Sequence, residues 1–329
     1  MSAPVPVDEA STTPFAGFWR RVAAFLVDGV VLGLIGYALG LLLYDTFVRM
    51  GPWGRCVGFA VALAYFVPQE SGRGGGQSLG KRLLRIRVVD AQGRALSPAR
   101  GAVRFAVFGV PYFLNGSVLP MNVATFAGGV PFAALALGGM LALAYLLVFN
   151  RRTRQSLHDL AVGAFVVRLA SGARPAPGPA RTWGGHRVIA GALIVLAGAT
   201  PLMFPQLMRI PMFADLQLLY LHLADQPELR SVNVFASVET RYGAHVESRA
   251  AHVLLIQATI AKPLTDYVPL STRLAGIALK VYPNAARENR IVVRLSHGYD
   301  IGIASSWTSN DLALTPEQWA DRVAAGDGN

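Results

Sequence analysis

Long uncharged runs dominate the first two thirds of the chain. Residues 22–44 supply 23 positions with a single charge, Asp28. About 20 apolar residues carry a helix across a bilayer, so this run predicts a membrane span. Residues 56–69 give a shorter run of 14, which becomes a second span if it starts at Pro52 and Arg55 snorkels to the interface. Between Arg104 and Arg151 lie 46 residues without a charge, enough for two spans joined by a turn at NGSVLPMN, residues 115–122. Its first arm is short and contains Pro111, so a re-entrant segment is the competing reading of 105–122. Residues 188–208 form a last uncharged run of 21. The pattern predicts about five transmembrane helices.

Beyond residue 208 the periodicity changes. Residues 231–238 and 252–260 read as strands, and 265–281 has helical spacing ended by Pro283-Asn284. Residues 291–297 and 300–305 suggest a hairpin about Gly298. Thr315-Pro316-Glu317 starts a final helix, with proline at a favoured first position. The expected module has about 110 residues and its own core.

Charge then orients the spans. The chain carries +11 overall; through Leu207 there are 19 basic and 7 acidic residues, beyond it 11 and 12. The excess positive charge therefore lies in the apolar part. The loops at 69–104 and 151–187 hold eight and seven basic residues, whereas 45–55 holds two and the 115–122 turn none. Basic loops stay in the cytoplasm, so five spans place both of them and the N-terminus inside and the C-terminal module outside. Basic residues flanking apolar runs are topology signals, and nucleic-acid binding is excluded as a reading. Only 15% of residues are charged and 53% are hydrophobic, with mean hydropathy +0.41, which is membrane-protein composition. The polar first 14 residues read as a disordered cytoplasmic tail and not as a signal peptide. The lone Cys56 excludes an internal disulfide and reads as a small buried hydrophobe.

Asp28 is the anomaly. It follows Arg21 by seven residues, two helical turns, so both share a face and the carboxylate sits roughly 10 Å deeper. A charge at that depth costs several kcal/mol and must face protein or water. Position alone fits two readings, a helix-packing partner or an ion or proton site. Gly29, Gly33, Gly36 and Gly40 add a small-residue stripe suited to close intramolecular helix packing.

Three stretches carry a resemblance: AGFWRRVAAFLVDGVVL at 16–32, GGQSLGKRLLRIRVVDAQGRALS at 75–97 and RQSLHDLAVGAFVVR at 154–168. In order and spacing they resemble the RDD family of bacterial membrane proteins over about residues 15–170. The resemblance implies that Arg21, with Arg20 beside it, is the family's arginine, and that Asp28 and Asp159 are its aspartates. It also implies a bacterial cytoplasmic (inner) membrane protein, with a loose suggestion of transport or cation/proton exchange. One departure is Phe165, where the family often has threonine.

Within the second stretch Gly75, Gly80 and Lys81 fit GxxxxGK, but Arg82 stands where a magnesium-ligating hydroxyl belongs, so a phosphate-binding loop is rejected. Residues 84–89 and 164–168 alternate and are expected to pair as a small cytoplasmic β-ribbon that holds His158-Asp159 near the bundle. Neighbouring helical residues point about 100° apart, so His158 and Asp159 cannot jointly grip one group. Asp159 is read as a helix cap or as a partner of Arg20, Arg21 or Lys81. His245, Glu247 and His252 fit no standard metal spacing.

The reading is an α-helical integral membrane bundle with a small cytoplasmic β-ribbon and a C-terminal extracytoplasmic α+β domain. Its parts are a tail (1–14), a membrane domain (15–170), a Pro/Gly-rich linker (171–187), a last span (188–208) and the outer domain (209–329). Arg21, Asp28 and Asp159 form the expected polar centre, supported by Arg20, Lys81 and His158. No catalytic, cofactor or metal site is expected, and the chain is not read as an enzyme. The expected partners are the lipid bilayer, a small cation or proton, and an extracytoplasmic protein. The rival reading is a non-transporting scaffold or envelope sensor.

Overall fold

The computed structural model describes residues 15–116, 126–169, 181–240 and 250–326. The expected N-terminal tail, the 115–122 turn beyond Gly116, most of the Pro/Gly-rich linker and the His245–Glu247 pair lie outside the described residues. The chain divides into two compact units, Met1–Gly36 with Cys56–Pro201, and Tyr37–Arg55 with Leu202–Asn329.

In the first unit the apolar runs form helices α1 (Phe18–Met50), α2 (Gly54–Glu70), α4 (Pro98–Leu114), α5 (Phe126–Ala133), α6 (Gly139–Phe149) and α8 (Gly184–Ala199). A five-residue α3 (Leu79–Leu83) and a six-residue α7 (Leu157–Val162) lie between them. Three stretches, Phe18–Glu70, Gly128–Phe149 and Gly184–Leu207, are long and apolar enough to cross a membrane. The first holds both α1 and α2, which fold back so that Tyr65 meets Asp28. Many large apolar side chains point outward, among them Leu26, Val30 and Leu34 on α1 and Val188, Val195 and Leu196 on α8. Apolar surface on that scale is not left to water.

A π-turn at Ala134–Gly138 joins α5 to α6, just after Pro131 removes one backbone donor. There α8 approaches closely; a Cβ on Gly138 would fall 2.7 Å from the Ile194 Cα. The last apolar helix therefore packs on the α5–α6 arm.

The expected ribbon is present as β1 (Ile86–Val89) and β2 (Phe165–Arg168), antiparallel with Val88 opposite Val166. It starts later than the alternation suggested because Arg85 takes a left-handed φ of 53° after α3. Phe15 bridges to Val167 and stacks on Phe165 at 5.7 Å, so the chain ahead of α1 joins the ribbon. Ile86, Val88, Leu96 and Val166 form a small core under Ala24 of α1.

In the second unit a short α9 (Phe204–Leu207) and then α10 (Pro211–Ala224) precede the sheet. The sequence reading did not single out α10, although Leu216, Leu219, Tyr220 and Leu223 lie at helical spacing from Pro211. Four strands follow, β3 (Leu229–Thr240), β4 (Ala250–Ile260), β5 (Arg290–Asp300) and β6 (Ser305–Leu314), in sheet order β3-β4-β5-β6. α11 (Val268–Val281) connects the parallel pair β4 and β5. α12 (Pro316–Ala324) starts where expected and is capped by Thr315 and Gln318, each of which accepts from the other's backbone N–H. Leu219, Leu254, Ile256, Leu274, Ile291 and Trp319 form the core, and the Trp319 indole donates to the Ile291 carbonyl at 2.9 Å.

The hairpin corrects one expectation. Its turn is at residues 301–304, and Gly298 lies inside β5 opposite Trp307. A Cβ there would meet the Ser306 carbonyl oxygen at 2.0 Å, so Gly298 serves close strand approach and not the turn.

This unit also takes in the last turns of α1. Tyr44 and Phe47 pack against Tyr299 at 5.6 and 5.4 Å, and Tyr44 Oη lies 3.3 Å from His297 Nδ1. Arg55 pairs with Asp300 at 2.5 Å. Gly40 is required for this contact, because a Cβ would sit 1.7 Å from the Tyr299 hydroxyl, whereas Gly29 has open space around it. The glycine stripe thus has different uses at different turns.

Candidate functional site

Asp28 is fully buried. Its carboxylate accepts from the Tyr65 hydroxyl at 2.7 Å, the Ser78 hydroxyl at 2.6 Å and the Gly80 backbone N–H at 2.8 Å. Lys81 Nζ stands 4.0 Å away. Both carboxylate oxygens thus have hydrogen-bond donors. The stretch that imitates a phosphate loop therefore does hold an anion, and the anion is the protein's own Asp28. Gly80 is obligatory there, because a Cβ would lie 2.1 Å from the Ala24 carbonyl oxygen and 3.0 Å from Asp28 Cγ.

Lys81 passes the network on. Its ammonium bonds Glu70 and stands 3.3 Å from Ser78 Oγ, and Glu70 in turn bonds Arg104. Arg104 grips Asp159 Oδ1 through Nε at 2.9 Å and Nη2 at 2.7 Å. Arg21 reaches the other oxygen at 2.6 Å and also donates to the Arg154 carbonyl. Asp159 moreover accepts from the Ser156 N–H at 3.2 Å, so it caps α7 while pairing with two arginines.

The result is a continuous chain of three carboxylates and three cations, running from Asp28 through Lys81, Glu70, Arg104 and Asp159 to Arg21. The cations' side chains are 7–14% exposed and the acids' 0–7%. The formal charges balance, as a low-dielectric setting demands.

His158 lies at the edge of this chain. Its Nε2 is 3.4 Å from Asp159, its ring packs edge-on against Phe108 at 5.8 Å, and its Nδ1 is buried without a partner. Burial pushes its pKa down to about 3, with Arg104 and Arg21 acting in the same direction. Burial alone would raise the pKa of Asp159, but Arg21 and Arg104 hold it well below the usual carboxylate range.

Of the six residues named from sequence, five share this network or border it, whereas Arg20 is exposed and stands apart. Arg21 meets Asp159 and not Asp28, so the two charges two turns apart on α1 hold opposite ends of the chain. Sequence reasoning missed Tyr65, Glu70, Ser78 and Arg104. Glu70 and Arg104 mark the ends of apolar runs, which made them look like span boundaries; their opposite charges at those boundaries were the available signal. Among the described residues no group of three His, Cys, Asp or Glu could hold a metal ion.

The model of the RDD family matches residues 15–163, which contain every member of this network. No curated protein and no solved structure matches the chain.

Proposed function

We propose, from the match of the RDD family model to residues 15–163, a multi-pass membrane protein that binds and moves a small cation, coupled to a proton. The buried six-charge chain carries the reading. Each buried ion costs several kcal/mol of desolvation, and an apolar replacement of equal volume is often as stable or more so. Ionisable groups set among membrane helices are therefore functional by default. Asp28 is the acceptor in this reading. Lys81, poised between Asp28 and Glu70, occupies the place that a bound cation takes, and its withdrawal opens an oxygen-rich seat formed by Asp28, Glu70, Tyr65 and Ser78. Oxygen ligands suit hard cations.

Charge bias supports five spans in a bacterial inner membrane, with the ribbon and network at the cytoplasmic end and the sheet unit outside. The complete pairing of the acids favours a second reading, a clamp that only fixes the helices while the outer unit binds a protein partner.

Proteoliposomes containing a pH-sensitive dye separate the two. The transport reading predicts a proton flux on addition of Na+ or K+ that Asp28→Asn abolishes while the protein still inserts. Equal signals from both proteins, or none from either, favour the clamp.

A further inference from the structure

A groove of about 430 Å³ opens between α6, α7 and α8 of the first unit. Its apolar wall includes Leu146, Leu157, Leu160, Ala190 and Ile194, and its one charge is Arg187. The volume falls in the range of about 300–1,000 Å³ typical of small-molecule sites. Arg187 lies in the first turn of α8 and Ile194 two turns further on, so the charge stands roughly 10 Å from the far apolar residue. Arg187 is exposed, and among the described residues no carboxylate pairs with it. Trp183, just ahead of α8, is 61% exposed, as expected of an aromatic at the headgroup level. Arg151 and Arg152, following α6, are exposed as well.

We propose that this groove seats one anionic phospholipid, with its phosphate on Arg187 and an acyl chain along Leu146, Leu157, Leu160 and Ile194. In a bilayer an open apolar groove fills with hydrocarbon, and a basic residue at its interfacial end selects the headgroup. The proposal rests on the membrane reading but not on transport. Lipid also bears on the network through α7, which turns Leu157 and Leu160 to the groove and buries Asp159 on the other side.

Native mass spectrometry of the full-length protein in detergent tests this, with phosphatidylglycerol and phosphatidylcholine of identical chains as probes. The expected result is at least a threefold preference for phosphatidylglycerol, lost in Arg187→Gln, with both lipids weakened in Ile194→Trp, which fills the groove. Inorganic phosphate alone should not displace the bound lipid. Equal binding of the two lipids by the native protein, or a preference that survives Arg187→Gln, overturns the proposal. Failure of the protein to partition into membranes at all would instead overturn the membrane reading.

Discussion

Tyr65 on α2 donates its hydroxyl proton to Asp28 on α1 across 2.7 Å. This bond joins two antiparallel helices through an acid that would otherwise be stranded among apolar side chains. A hydrogen bond to a charged group contributes about 1.5–3 kcal/mol. Tyr65→Phe keeps the ring and removes the donor, so it should lower stability by about that amount in urea or thermal unfolding while the protein still inserts.

Gly80 carries a sharper steric demand. Gly80→Ala forces a methyl against the Ala24 carbonyl, which lies in backbone and cannot swing away. Overpacking costs about 1–3 kcal/mol and sometimes more. Gly29→Ala, with open space around it, should leave the melting temperature within about a degree or two and serves as the control.

At the other end of the network, Asp159 is shared by two arginines. Asp159→Asn leaves Arg21 buried without its counter-charge and Arg104 with Glu70 alone, a loss of about 3–5 kcal/mol. Removing Arg104 as well should cost less than the sum of the two single losses. A double-mutant cycle measures this coupling, and strict additivity would contradict the shared contact.

His158 predicts the direction of pH dependence. Its folded pKa of about 3 lies below the ordinary 6.5, so between those values the unfolded chain binds the proton and the folded one does not. Stability should therefore be full above about pH 6.5 and fall steadily as pH drops toward 3. Asp159 adds loss in the same direction only below its ordinary 3.8. His158→Phe should flatten the slope between pH 6.5 and 4, as read by thermal unfolding across that window.

Much of this was legible in the chain. Apolar run length located the long helices of the first unit, and the short runs at 84–89 and 164–168 located β1 and β2. Thr315-Pro316 located α12. Asp28 stood out because a charge inside an apolar run has a cost, and Arg21 and Asp159 through the resemblance to the RDD family. What stayed hidden depends on contacts between distant elements. Nothing local shows that Ser78 and Gly80 cradle an acid fifty residues earlier, or that Arg104 faces Glu70. Gly298 reads as a turn until its neighbour strand is known, and the last turns of α1 read as a loop approach until Tyr299 is seen against Tyr44 and Phe47. Local pattern sets elements; burial partners are long-range and leave only weak traces such as opposite charges at span ends.

The most direct measurement is equilibrium dialysis of the purified, folded protein against labelled Na+ or K+ near pH 8. One cation should bind per native chain, and none should bind to Asp28→Asn at an unchanged fold. A folded native protein that binds neither ion, or an Asp28→Asn variant that binds as well as the native one, would contradict cation binding at Asp28.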